Sequence, residues 1–130
     1  MTNKKILLIE DDPVTLELYI RIFKDTNYEL EISVTGDDAL KKLQLIKEGK
    51  IAKPDLVLLD LVLPGVSGMT ILAEIRNNEK IKDLPVFILT NYIDRETLEE
   101  SQRLKAEKYI VKTQITPPML LKIVEEWLGN

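Results

Sequence analysis

The sequence predicts an α/β domain built on a parallel sheet with helices on both faces. Three short apolar runs, Ile6–Ile9, Leu56–Leu59 and Val86–Leu89, are each bounded by polar or turn residues. That is the pattern of strands buried on both sides. Amphipathic helical patterns lie between them, so that strand and helix signals alternate five times along 130 residues. Short connections and right-handed crossovers turn such an order into a doubly wound parallel sheet.

The first strand, Ile6–Ile9, runs directly into Glu10, Asp11 and Asp12. Asp12–Pro13 is a helix start: the aspartate caps, and proline fits the first turn because its missing N–H has no partner there anyway. Val14, Leu18 and Ile22 then recur at every fourth position, with Leu16, Ile20 and Phe23 widening the expected apolar stripe. Glu29–Val34 reads as a weaker strand, with Leu30, Ile32 and Val34 on one side. A second helix is expected over Asp37–Lys47, packing through Leu40, Leu43 and Ile46. The polar stretch Glu48–Pro54 is a loop, too short to link domains.

After the third strand, Leu56–Leu59, Ser67 caps a helix that starts near Gly68 and carries Ile71, Leu72 and Ile75. The helix expected over Asp94–Leu104 has only Leu98 and Leu104 as apolar contacts, which makes it either the least stable helix or a docking surface. Lys108–Val111 is a weaker fifth strand. Thr116–Pro117 repeats the cap-then-proline signal, and Leu120, Ile123, Val124, Trp127 and Leu128 form the core stripe of the last helix. Residues 1–130 read as a single domain with no repeat, and no output domain is expected after the last helix.

Composition narrows the chemistry. The chain is 45% hydrophobic and 31% charged, a globular balance. A net charge of −4 gives no support to a broad nucleic-acid footprint. The sequence contains neither cysteine nor histidine. Disulfides, thiolate chemistry, His-based triads and a phosphohistidine of its own are therefore excluded. The start MTNKKILLIEDD lacks a secretory h-region and cleavage site, and no uncharged apolar stretch approaches the roughly 20 residues of a transmembrane helix. A cytoplasmic chain with no membrane contact is the expectation.

In an open parallel sheet, ligands bind outside the carboxyl ends of the strands. Glu10 and Asp11 follow the first strand, Asp60 ends the third, Thr90 and Asn91 follow the fourth, and Lys112 follows the fifth. A charged turn after a strand is common, so Glu10–Asp12 alone means little, and Asp12 has a sufficient task as a cap. Asp60, however, follows four apolar residues, where a lone carboxylate is poorly solvated. Three converging acids repel one another unless a cation or proton compensates. All-oxygen ligands without His or Cys suit Mg²⁺. Thr90 can donate to a bound oxyanion, and Lys112 supplies a mobile positive charge. The set favours phosphoryl chemistry, with Asp60 as the nucleophile that forms an acyl phosphate.

With ILLIEDDP, LVLLDLVLPGVSG, VFILTN and KYIVK in that order and spacing, the sequence resembles the receiver domain of two-component response regulators, over about residues 4–128. The resemblance implies a CheY-like, flavodoxin-like five-stranded sheet of order 2-1-3-4-5 with five helices. It implies Asp60 as phosphoacceptor, Asp11 as a direct Mg²⁺ ligand, Glu10 acting through water, and the Val62 main-chain carbonyl completing the protein ligands. Thr90 corresponds to the hydroxyl residue that moves toward the phosphoryl group, Lys112 to the lysine that contacts it, and Tyr109 to the aromatic switch residue. Pro64–Gly65 and Gly68 match the loop and helix start after the acceptor. The implied partners are an external histidine kinase or histidine phosphotransfer protein as donor. A downstream protein is expected on the face of the fourth helix, fifth strand and last helix, with either a monomer or a homodimer allowed.

The sequence departs from the family at Lys112–Thr113, where a cis proline is usual. A cis non-proline bond costs about 2.5–4 kcal/mol, so a trans bond is expected. Asn91 and Val62 stand beside the site at positions suited to tuning acyl-phosphate lifetime. The rivals are weaker. An aspartyl phosphatase commonly has a second Asp two residues after the nucleophile, where this chain has Val62. A flavodoxin-like cofactor site needs a Ser, Thr or Gly-rich loop where Glu10–Asp12 stands. A phosphorylation-independent interaction module of the same fold is the alternative reading.

Overall fold

The computed structural model describes residues 3–129. It contains β1 (Lys5–Ile9), α1 (Pro13–Phe23), β2 (Glu29–Ser33), α2 (Gly36–Lys47), β3 (Leu56–Leu59), α3 (Gly68–Arg76), β4 (Val86–Thr90), α4 (Arg95–Arg103), β5 (Lys108–Val111) and α5 (Pro117–Leu128). The five strands are all parallel and run in the order β2-β1-β3-β4-β5, as expected. Among the described residues no helix is long and apolar enough to cross a membrane.

Side chains of a strand alternate between the two faces of the sheet. Ile6, Leu8, Leu56, Leu58, Phe87 and Leu89 therefore meet α1 and α5 through Tyr19, Phe23, Leu120 and Val124. Leu7, Ile9, Val57, Leu59, Val86 and Ile88 meet α2 and α3 through Leu43, Ile46, Ile71 and Ile75. β1, β3 and β4 are almost wholly buried, whereas β2 at one edge is half-buried. Each fully buried Leu or Ile contributes about 1.5–3 kcal/mol relative to exposure. The central strands thus form a rigid platform for whatever stands at their ends.

Side-chain caps set the helix starts. Asp12 accepts from the Thr15 N–H at 2.8 Å, Ser67 from Thr70 at 3.3 Å, Asp94 from Thr97 at 2.6 Å and Thr116 from Met119 at 3.3 Å. Thr35 caps α2 in the same way, so the helix begins at Gly36, one residue before the expected start. Gly68 is required by packing. A Cβ there would run well inside van der Waals contact with the Asp60 carbonyl oxygen and the Leu61 Cα. Gly68→Ala is expected to cost about 1–3 kcal/mol as an overpacked site, read as a lowered midpoint in urea unfolding. An unchanged midpoint would show that α3 can slide away from β3.

The expected stripe of α1 is rotated. Val14, Leu18 and Ile20 are exposed, and the buried positions are Tyr19 and Phe23, with Leu16 and Ile22 half-buried. The helix is apolar on several sides, and packing beside α5 selects the face that carries its two large rings. Val34 lies beyond β2 and is exposed. Trp127 stays partly exposed, although its indole packs edge-on against Phe87 with ring centroids 5.4 Å apart. The sparse α4 buries only Ser101.

At the amino-terminal edge of the sheet, Arg76 closes two loops at once. Nε donates to Leu104 O at 2.7 Å, and Nη1 donates to Lys82 O at 2.9 Å and Leu84 O at 2.7 Å. Nη2 donates to Lys105 O at 3.0 Å and to Glu107 Oε1 at 3.1 Å. Glu107 Oε1 also accepts from the Val86 N–H at 2.6 Å. A guanidinium has five N–H donors, and all are spent here. The depression of about 540 Å³ around Arg76 therefore offers a ligand no free guanidinium hydrogen.

Candidate functional site

The opposite, carboxyl edge of the sheet gathers the charged residues. β1 delivers Glu10, whose backbone N–H donates to Ser33 O at 3.0 Å. β3 delivers Asp60, whose N–H donates to Ile9 O at 3.0 Å. The sheet ladder thus fixes both main chains one residue past the strands. Glu10 is 1% exposed and Asp60 6%, while Asp11 is half-buried. A carboxylate oxygen from each of the three lies within 4.8 Å of the others. The three acids singled out in the sequence therefore form one cluster.

β5 supplies the counter-charge. Lys112 Nζ stands 2.6 Å from Glu10 Oε1 and 2.9 Å from Asp60 Oδ2. Glu10 Oε2 accepts from the Asp12 N–H at 3.0 Å, and Asp60 Oδ1 from the Val62 N–H at 3.3 Å. Burial pushes the Glu10 carboxyl above its ordinary value, against the opposing pull of Lys112. For Lys112 burial acts downward, yet its hydrogen bonds to Asp60 and Glu10 outweigh it and hold the ammonium above the ordinary lysine value. Three carboxylates facing one ammonium leave negative charge uncompensated. An all-oxygen cluster with that excess fits a hard divalent cation.

Thr90 ends β4 and is 1% exposed, and its Oγ1 accepts from the Tyr92 N–H at 3.2 Å. Tyr109 on β5 is half-buried, and its hydroxyl donates to Tyr92 O. Asn91 is exposed, and its Oδ1 accepts from the Thr113 N–H at 3.0 Å. The Val62 side chain is 61% exposed beside Asp60. Cis peptide bonds are absent among the described residues, so Lys112–Thr113 is trans, and residues Lys112–Gln114 form a single 3-10 turn. A cleft of about 250 Å³ between α1 and this turn is lined by Leu18, Tyr19, Asn91, Lys112 and Thr113, among others.

Sequence reasoning missed two participants. The Asp12 N–H holds Glu10 in place, and the Tyr92 main chain donates its N–H to Thr90 Oγ1 and accepts from the Tyr109 hydroxyl. Main-chain partners carry no residue-type signature, so no pattern in the sequence marks them.

Residues 6–125 match the response regulator receiver domain family. The polar-differentiation response regulator DivK of Brucella ovis is 26% identical over 128 residues, which cover 98% of each chain. Among solved structures, the Mn²⁺-bound form of response regulator Rcp1 is similar at 32% identity and a TM-score of 0.87, over 98% of this chain and 96% of that one. The phosphorylated cyanobacterial phytochrome response regulator RcpA is similar at 29% identity and a TM-score of 0.88, over 98% and 95% of the two chains. A match that runs from β1 into α5, on the same fold, makes this chain a member of the response regulator receiver domain family, the receivers of two-component phosphorelay signalling.

Proposed function

We propose that the chain receives a phosphoryl group on Asp60 from a phosphohistidine of a partner kinase or phosphotransfer protein. The observation that carries this is the setting of Asp60: a buried carboxylate 2.9 Å from Lys112 Nζ and clustered with Glu10 and Asp11 at the sheet's carboxyl edge. An Asp60 oxygen forms the new O–P bond as the donor's N–P bond breaks, and the imidazole leaves with the electron pair. Lys112, already between Glu10 and Asp60, neutralises developing charge on the phosphoryl oxygens. Thr90 donates its hydroxyl hydrogen to one of them. Glu10, Asp11, Asp60 and the Val62 carbonyl would hold Mg²⁺, which supplies further charge neutralisation when bound. Because the chain has no histidine, the donor is another protein.

The acceptor is the chain's own side chain, so the transfer is a signalling event rather than turnover of a free substrate. The output we propose is a population shift of the surface formed by α4, β5 and α5. The thin burial of α4 and the Tyr109–Tyr92 hydrogen bond support a surface that can exchange between states. A cytoplasmic location fits this donor chemistry.

Intact mass after incubation with acetyl phosphate and Mg²⁺ tests the reading. One added phosphoryl group is expected, and none when EDTA removes the metal. Lys112→Met is expected to slow adduct formation at least tenfold while the chain still folds, since about 1.4 kcal/mol of lost charge stabilisation already corresponds to that factor. Absence of an adduct even with a phosphohistidine donor would leave the phosphorylation-independent interaction module in its place.

A further inference from the structure

We propose that Asn91 and Thr113 form a clasp that holds Thr90 and Lys112 as one unit, so that both are positioning residues for phosphoryl transfer. This rests on the reading of Asp60 as phosphoacceptor and extends it to residues that touch neither the acceptor nor the acidic cluster.

Thr90, Asn91 and Tyr92 are consecutive, and each makes a hydrogen bond that restrains the loop between β4 and α4. The Tyr92 N–H reaches back to Thr90 Oγ1 at 3.2 Å. The Thr113 N–H donates to Asn91 Oδ1 at 3.0 Å. The Tyr109 hydroxyl donates to Tyr92 O. The two tethers from outside the loop come from β5 and the turn after it. In the chain they bracket Lys112, one three residues before it and the other immediately after. The loop that follows the hydroxyl residue and the turn that carries the ammonium are thus joined on both sides of the lysine.

The Asn91–Thr113 bond is the one that a residue choice can remove cleanly. A proline at 113 would have no N–H to donate, and an alanine at 91 would have no acceptor. Both residues are exposed, so the bond adds little to global stability. It adds a second link, beyond the pairing of Thr90 with Val111 in the sheet, between the residues that follow Thr90 and Lys112. Both residues also line the cleft beside Lys112, where slack in the turn is not taken up by core packing.

The experiment measures the rate of Asp60 phosphorylation by intact mass, with acetyl phosphate and Mg²⁺, in the full chain. Asn91→Ala and Thr113→Pro are each expected to lower the rate about three- to tenfold, the scale of one net hydrogen bond. The double variant should fall no further than either single one. Thr113→Ala keeps the N–H and should behave as the parent. Melting temperatures should stay within about 2 °C of the parent, as for surface changes. If the proline variant does not fold, Asn91→Ala and Asn91→Leu, which both lack the acceptor, are compared instead and should slow to the same extent, unequal rates overturning the clasp. Multiplicative losses in the double variant, a Thr113→Ala rate as slow as Thr113→Pro, or unchanged rates throughout would each overturn the clasp. A parent chain that takes up no phosphoryl group would overturn the acceptor reading along with it, whereas a phosphorylated parent with indifferent variants sinks the clasp alone.

Discussion

Asp60→Asn is expected to take up no phosphoryl group under conditions that modify the parent chain and, without metal, to melt no lower than the parent. The substitution keeps the shape of the side chain and an Oδ1 that can accept from the Val62 N–H, which stands 3.3 Å from Asp60 Oδ1. It removes the carboxylate proposed as the nucleophile, so on that reading no acyl phosphate can form. The stability expectation follows from charge. Glu10, Asp11 and Asp60 present carboxylate oxygens within 4.8 Å of one another, while Lys112 is the one cation bonded to the cluster among the described residues. Deleting one of three mutually repelling charges offsets the weakened hydrogen bond from Lys112, which keeps Glu10 at 2.6 Å. Mass spectrometry and thermal melting on the same preparations check both halves. A variant that still gains a phosphoryl group places the acceptor elsewhere. One that melts well below the parent shows that Asp60 is held chiefly as a partner for Lys112.

That site was legible in the sequence because the fold obliges residues just past parallel strands to share one edge. Glu10, Asp60 and Thr90 each follow a recognisable apolar run and Lys112 follows a weaker strand signal, so finding the strands was enough to find the cluster. The caps at Asp12, Ser67 and Thr116 were legible for a similar reason: the side chain and its target N–H lie within one turn of each other. The buried face of α1 was not. Its sequence, PVTLELYIRIF, is apolar on too many sides for periodicity to choose, and contact with α5 decides. The Asn91–Thr113 bond and the Arg76 network were hidden because one partner in each is main chain, brought close only by tertiary structure.

The second large effect concerns Arg76. Arg76→Met is expected to destabilise the chain by about 3 kcal/mol or more and to lower the melting temperature by roughly 10 °C. Its side chain is 11% exposed, so its charge has been taken out of water and is repaid only by its five acceptors. Methionine fills similar volume but strands four carbonyl oxygens and leaves Glu107 with the Val86 N–H alone. Phosphorylation of the surviving folded fraction should be unchanged, because Arg76 lies at the sheet edge opposite Asp60. Urea unfolding monitored by far-ultraviolet circular dichroism decides the matter. A loss under about 1 kcal/mol would mean that water replaces the guanidinium freely.

Four of the five acceptors of Arg76 are main-chain oxygens, those of Lys82, Leu84, Leu104 and Lys105. Every amino acid supplies such an oxygen, so evolutionary drift can rewrite the side chains of both loops without breaking the closure. Loop length has no such freedom, since an inserted or deleted residue moves the carbonyls out of reach of a planar fork with fixed directions. Lys105 also sits in the left-handed region at φ 57°, where glycine is the relaxed choice. Relatives are therefore expected to vary freely in letter across these two turns, to drift toward glycine at that position, and to keep their spacing wherever the arginine is kept.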